Sequence, residues 1–387
     1  MAHLVEKEKC NGCHACFNTC PVQAISMQSD DEEFLYPVIN AEKCIDCGKC
    51  DRACSIQNPP AINPYEEAYA CYAKNADEHR TSCSGGAFAV LARQVLQDGG
   101  VVAGAAFTPT QDVQHIVITS EPEMWKLKGT KYVQSTIGSC YAQVKSYLKC
   151  GKKVLFSGTP CQVAGLKTFL REKYENLITV DLICHGVPSP GIWQRYLNEV
   201  ADGEMIVSAG FRNKTKGTSN VTLDYHTESG RLIQENYSES PYIKGFIQNL
   251  FVRPSCFRCP FKGTKRCSDF TIGDFWGAKE HHPEMVHEDG VSALLVHSEK
   301  GRRLLEQCKE SFVWKTSKPE KATLWNESMI QPAHPSPNRE KFFQDVKTLS
   351  VKEAVLNNWI APTQPPKQSK LKKIIGKVKG RIRRWLV

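Results

Sequence analysis

Residues 10–21 read Cys-Asn-Gly-Cys-His-Ala-Cys-Phe-Asn-Thr-Cys-Pro, four thiols spaced Cys10-x2-Cys13-x2-Cys16-x3-Cys20. The same spacing returns 34 residues later as Cys44-x2-Cys47-x2-Cys50-x3-Cys54, with Ser55 where the first run has Pro21. Three closely spaced thiolates wrap one face of a [4Fe–4S] cube, and the fourth arrives from the other run. The repeat therefore predicts two cubes with exchanged fourth ligands. Cys10, Cys13 and Cys16 take Cys54; Cys44, Cys47 and Cys50 take Cys20. Zinc is the alternative, but its ligands come as CxxC pairs far apart rather than as a tight run of four used twice.

This is the spacing of bacterial two-cluster ferredoxins, and it predicts an α+β ferredoxin-like domain over residues 1–58. No substrate pocket accompanies such a pair, so the segment reads as a wire for electrons. Asn58-Pro59-Pro60 and Pro64 close it as a linker. The charged stretch Glu6 to Lys9 leaves no room for a signal peptide, and no apolar run reaches the roughly 20 residues of a membrane span. The expectation is a reducing, cytoplasmic setting, in which 18 Cys mean metal or redox chemistry rather than disulfides.

Length and charge set further bounds. The 387 residues suffice for two or three domains, and the formal net charge is +9. That excess belongs to one tail. From Ala354 on there is no Asp or Glu, while Lys367, Lys370, Lys372, Lys373, Lys377, Lys379, Arg381, Arg383 and Arg384 crowd the end. Without those nine the chain is balanced, which argues against a generally basic nucleic-acid surface.

Between about Tyr69 and Ala278, apolar runs alternate with helical spacing. Val101–Phe107, Val154–Phe156 and Leu177–Ile183 read as buried strands; Phe88, Leu91, Ala92, Val95 and Leu96, then Tyr141, Val144, Tyr147 and Leu148, read as helices. This predicts an α/β core with a mixed sheet. Val221–Tyr225 and Leu232–Asn236, split by Ser229-Gly230, predict a hairpin. Ser84-Gly85-Gly86 precedes the first of these helices, where Ser84 is placed to cap and the glycines to admit a phosphate.

Five segments carry a resemblance. They are Ser82-Cys83-Ser84-Gly85-Gly86, Lys128-Gly129-Thr130-Lys131-Tyr132-Val133-Gln134-Ser135, Phe156-Ser157-Gly158-Thr159-Pro160-Cys161-Gln162, and Asp181-Leu182-Ile183-Cys184-His185-Gly186. The fifth is Cys256-x2-Cys259-Pro260 with Asp269 and Ile272-Gly273-Asp274-Phe275-Trp276-Gly277. In this order they resemble the coenzyme F420 hydrogenase/dehydrogenase beta-subunit family, over residues 66–345. The resemblance implies an α/β flavin-binding domain holding FAD beside a third [4Fe–4S] cluster. Ser84, Gly85, Gly86, Gly129, Thr130, Lys131 and Tyr132 are then the expected FAD-binding residues. Fusion to a ferredoxin segment resembles the bacterial branch of the family and implies a glycan-related substrate. No residue diagnoses a deazaflavin pocket, so coenzyme F420 itself is not carried over.

Five thiols compete for the third cluster. Cys256 and Cys259 form a CxxC pair, and Cys161 and Cys184 each follow a strand end bordering one crevice. Cys267 is the alternative fourth ligand. Cys71, Cys83, Cys140, Cys150 and Cys308 read as packing residues, while Asp274 and Trp276 read as core, with the cluster-side wall of the site as the alternative. His185 and Asp181 border the same crevice and are the candidate catalytic residues, His185 as a proton donor; the alternative for His185 is a hydrogen-bonded histidine that shapes the turn after the strand.

Residues 346–387 read as linker and tail. Leu371, Ile374, Ile375, Val378, Ile382, Trp385 and Leu386 share one face of a helix, with the basic residues outside it. Such a C-terminal amphipathic helix suits an anionic membrane surface, the inner face of the cell membrane included; packing on the protein's own body is the alternative. The whole predicts an iron–sulfur flavoprotein oxidoreductase that passes electrons from a reduced carrier to FAD and an organic substrate. The rival is an electron-transfer subunit that docks on a partner oxidoreductase and has no substrate of its own.

Overall fold

The 34-residue repeat of the sequence is also a repeat of backbone conformation. In this computed structural model, which describes residues 3–63, 67–214 and 221–361, Gly12 and Asp46 carry φ of 65° and 50°, and His14 and Gly48 carry 60° and 63°. Each pair opens a short helix, α1 (Ala15–Thr19) or α2 (Lys49–Ala53), and each helix ends on an extended cysteine, Cys20 or Cys54. Left-handed residues between the thiols turn successive side chains toward one point. An antiparallel hairpin, β1 (Ile25–Ser29) and β2 (Leu35–Ile39), lies between the two halves.

The central body is an eight-stranded mixed sheet. Its strands are β3 (Glu67–Ala73), β4 (Val101–Phe107), β5 (Val113–Ile118), β6 (Val154–Gly158), β7 (Leu177–Leu182), β11 (Phe270–Asp274), β12 (Ser292–Val296) and β13 (Phe312–Ser317). Their order is β13-β3-β12-β11-β7-β6-β4-β5. Four adjacent strands, β11, β7, β6 and β4, run parallel. Side chains alternate between faces, as a pleated strand requires. Val102, Leu155, Ile178 and Val180 pack under α4 (Ala87–Gln97). Val101, Val154, Phe156 and Leu177 pack under α5 (Cys140–Lys149) and α6 (Pro160–Leu170). Burial on both faces is what parallel strands need, and it explains their unbroken apolar runs. A further helix, α3 (Ala76–Thr81), follows β3.

A second layer grows from α7 (Pro190–Ala201), the three-stranded sheet β8 (Ile206–Asn213), β9 (Thr222–Thr227) and β10 (Leu232–Asn236), and α8 (Pro241–Ile247). Its core holds Trp193, Tyr196, Phe211, Tyr242 and Phe251. The hairpin expected from Ser229-Gly230 is β9–β10. One boundary is corrected. The segment from residue 346, expected as linker, enters this core: Val351, Ala354 and Val355 are buried on a helix, Val351–Asn358, that starts with a Ser350–Glu353 capping box. Residues 362–387, which carry the expected basic helix, lie outside the described residues.

The N-terminal domain is stitched to the body at several points. Arg339 grips both carboxylate oxygens of Glu32 at 2.5 and 2.6 Å, and Ser189 donates to Glu32 O at 2.8 Å. Thr168 donates to Ala53 O at 2.7 Å, Arg171 to Lys49 O, and Asn63 to the carbonyls of Cys267 and Ser268. Among the described residues no helix is long and apolar enough to cross a membrane.

Candidate metal centres and the cleft beside them

The first cup is formed by Cys10, Cys13, Cys16 and Cys54. Burial raises the Cys13 thiol to about 12, with further contributions from the neighbouring Cys10 and Cys54. Burial also raises Cys16 well above the thiol range, with Cys13, Cys10 and Cys54 adding to it. Four thiols that oppose one another's ionisation in a dry site are what a metal relieves, because binding takes their protons. Cys20, Cys44, Cys47 and Cys50 line a second cleft together with Val22, Ile25, Ile39 and Ile45. This cup is open: Cys47 is exposed, and so is Ile45 beside it. Ala24 N–H donates to Cys20 Sγ at 3.2 Å.

The third group gathers where parallel strands end, the usual place for a site in an α/β sheet. Cys161 lies in the first turn of α6, just past β6, beside a Thr159–Gln162 capping box. Cys184 follows β7. Cys256 and Cys259 come from the turn Pro254–Arg258 and its end. Burial raises the Cys161 thiol well above the usual range, and Cys259, Cys184 and Cys256 raise it further. Cys256 is pushed up to about 12 by burial, then by Cys184. Burial raises Cys184 to about 11, with Lys262 and Arg266 opposing the shift and Cys259 adding to it. Lys262 Nζ donates to Cys184 O. Cys267 is elsewhere, buried among Lys167, Asp181 and Arg266.

The first and third cups meet across α6. Gly165 lies one turn beyond Cys161, and a Cβ there would stand 2.8 Å from Cys13 Sγ. Tyr141 fills the same seam, its hydroxyl donating to Gln162 O at 2.7 Å. Arg253 crosses from the CxxC turn to the Cys10 loop, donating to Cys10 O at 2.8 Å.

The residues expected around a flavin are arranged differently from the expectation. Ser84 does not cap α4. It has φ 52° and donates to Val291 O at 2.8 Å, while Gly86 takes the cap position at φ 80°. Gly85 N–H is taken by Ser292 Oγ at 2.9 Å, and a Cβ on Gly85 would strike Ser292 N at 2.7 Å. The Gly-Gly pair thus seats the chain against β12 instead of opening its amides to a ligand. Thr130 is paired with Cys83, Oγ1 to Sγ at 2.7 Å. Lys131 donates to the carbonyls of Lys126, Leu127, Lys128 and Gly129; burial lowers its ammonium to about 8, and Cys83 opposes that shift. Tyr132 packs on Phe211 and Phe246.

Three residues that the sequence analysis gave no site role complete this group. Cys83, expected as packing, faces the charges of Lys131, Arg212 and Lys214. Arg212 pairs with Asp274 at 2.9 Å. Lys214, buried, donates to the carbonyls of His79, Ser84 and Asp289 at 3.2, 3.0 and 2.6 Å. Arg212 and Lys214 are two apart at the end of β8, so strand alternation carried the signal that they share a face. Asp274 thus belongs to this cleft rather than to packing, and Trp276 is 65% exposed rather than core. Cys150 is likewise exposed.

The two catalytic candidates are held in place. Asp181 lies inside the sheet, fully buried, accepting from Thr271 Oγ1 at 2.5 Å and Ser268 Oγ at 2.9 Å. It bonds β7 to β11 through Thr271 and also acts on the Cys184 thiol. His185 has both ring nitrogens engaged, Nε2 with Asn249 Oδ1 at 2.7 Å and Nδ1 with Ser328 Oγ at 3.3 Å.

Eight thiols on a ferredoxin-type repeat give the chain the donor set of an iron–sulfur redox protein. Residues 9–58 match the 4Fe-4S dicluster domain, and residues 151–322 match the C-terminal region of the coenzyme F420 hydrogenase/dehydrogenase beta subunit. The chain is thus like this beta-subunit family over residues 151–322, with an N-terminal dicluster domain. A chain of the F420-reducing [NiFe] hydrogenase complex from Methanosarcina barkeri aligns with a TM-score of 0.43 and 17% identity, over 75% of this chain and 89% of that one. No curated protein matches.

Proposed function

We propose that the chain is an iron–sulfur flavoprotein oxidoreductase, taking electrons from a reduced carrier and delivering them by way of FAD to an organic substrate. The observation that carries the reading is the contact of Cys13 with Gly165, one turn from Cys161 on α6. It sets the inner ferredoxin cup against the strand-end cup. Cys10, Cys13, Cys16 and Cys54, then Cys20, Cys44, Cys47 and Cys50, then Cys161, Cys184, Cys256 and Cys259, are the proposed ligands of three [4Fe–4S] groups. The open rim at Cys47 and Ile45 is where a carrier docks.

The cleft at Cys83 suits the anionic half of FAD. Lys131, Arg212 and Lys214 bring three cations near Thr130 and Cys83, against two carboxylates, Asp274 paired with Arg212 and Asp289 near Lys214. Buried positive charge in excess calls for an anion, and a pyrophosphate supplies one. When bound, FAD exchanges single electrons for pairs. His185 orients the Cys184 turn through Asn249 and Ser328. The glycan-related substrate rests on the family resemblance alone. Anaerobic purification tests the reading: about twelve iron atoms, as three cubes require, and one extractable FAD per chain are expected. A reconstituted protein without flavin sinks it.

A further inference from the structure

Arg253 is the largest charged side chain in the interior, with 0% of its surface exposed. All its partners are neutral. It donates to Cys10 O at 2.8 Å, Gln134 Oε1 at 2.9 Å and Leu35 O at 3.1 Å, and its Nη2 stands 4.0 Å from Cys10 Sγ. Its guanidinium lies 4.1 Å from the Tyr36 ring centroid and 5.4 Å from that of Phe34. Among the described residues no carboxylate pairs with it. A guanidinium does not deprotonate in a protein, so it stays charged there. A buried charge left without a counter-charge costs several kcal/mol. The anions within its reach are the thiolates of Cys10 on one side and of Cys256, three residues along its own turn, on the other.

The outer cup has the opposite surroundings. Its Cys50 Sγ stands 3.6 Å from Asp51 Oδ1, and Cys47 opens to water.

We infer that Arg253 is the shared counter-cation of the two inner cups and holds their reduction potentials above that of the outer Cys20/Cys44/Cys47/Cys50 cup. This rests on the reading of the twelve thiols as [4Fe–4S] ligands. Net charge and hydrogen bonds near the sulfurs set such potentials, and a fixed positive charge favours the more negative, reduced form. The biased step is the movement of one electron inward. The outer group is oxidised by one electron and the inner one reduced by one; no bond or proton changes place. Arg253 is a positioning residue, and its placement gives the wire a direction.

The test is an EPR-monitored redox titration of the full chain, with iron counted on the same samples. Asp51→Asn assigns the outer signal, which shifts most in that variant, because Asp51 Oδ1 lies 3.6 Å from Cys50 Sγ and acts only weakly on the inner ligand Cys54. In the unaltered protein the inner signals should reduce first, and reduction of the outer signal first overturns the inference. In Arg253→Gln the reduced-to-oxidised ratio of the inner signals at fixed poise should fall at least tenfold, about 59 mV for one electron, and Arg253→Lys should restore it. A fully loaded Arg253→Gln protein with unchanged ratios also overturns it. If Arg253→Gln loses iron, Gln134→Glu supplies the guanidinium with a carboxylate, and it should lower the inner signals alone. Iron missing from the unaltered protein would refute the cluster reading instead.

Discussion

Gly165 gives up its side chain to Cys13: a methyl group on its Cα would stand 2.8 Å from that residue's Cβ and Sγ and 3.0 Å from the Tyr141 hydroxyl. The missing carbon is what lets the N-terminal domain lie flush on α6. Gly165→Ala should therefore cost about 1–3 kcal/mol, the usual price of overpacking. Reduction of flavin by an external donor should slow with it. Thermal unfolding and stopped-flow absorbance measure the two; wild-type values for both would mean the contact is dispensable.

The third cup separates two rival ligand sets. Cys184→Ala should remove one cluster and leave two, lowering iron from about twelve atoms to about eight. Cys267→Ala should leave iron unchanged, since Cys267 lies among Lys167, Asp181 and Arg266. Iron lost from the Cys267 variant and retained in the Cys184 variant would reverse the assignment.

Flavin content should follow the cations of the Cys83 cleft. Arg212→Met leaves Asp274 without its partner and removes a charge facing Thr130 and Cys83. The expected result is at least a tenfold weaker hold on FAD with iron unaltered, read from flavin released on gel filtration. Full FAD occupancy would place the cofactor elsewhere.

Acid sensitivity should arise at His115. Burial lowers its imidazole from 6.5 to about 4, and its ring bonds Ser157 O and Ser135 Oγ at 3.0 Å each. The unfolded chain takes up the proton first. This contribution is complete above about pH 6.5, falls as pH drops, and is lost by about pH 4. Its size is about 3 kcal/mol. His115→Leu should flatten that part of the stability–pH curve; an unchanged curve from denaturant titrations would assign the loss to other groups.

The C-terminus divides into two regions with different expectations. Ser350→Ala removes the cap of helix Val351–Asn358 and should cost about 1 kcal/mol. Truncation after Ala361 should leave folding and iron content intact while abolishing binding to anionic vesicles. Equal vesicle binding by the truncated chain would end the membrane reading of residues 362–387.

Elements governed by near neighbours were legible in the sequence. Val101–Phe107 reads as a strand and is β4; the spacing of Phe88, Leu91, Ala92, Val95 and Leu96 reads as a helix and is α4. The thiol runs were legible because their chemistry depends on spacing. What escaped is set by distant partners. Ser84 fails to cap α4 because Val291 O, 207 residues away, claims its hydroxyl. Arg253 looks like any surface arginine until Cys10, 243 residues earlier, is folded against it. The Ser350-x-x-Glu353 box was present in the sequence, but the basic composition beyond it drew that segment into the tail.

The stitching of Glu32 to Arg339 and Ser189, and of Ala53 to Thr168, has a kinetic consequence. A free ferredoxin must collide with its client for each electron delivered, so its rate falls with dilution. Here the two lie on one chain and are hydrogen-bonded to each other, so on the proposed reading delivery across the seam does not depend on concentration. Only the encounter with the external carrier does. On the proposed reading, turnover per chain then follows the abundance of that carrier.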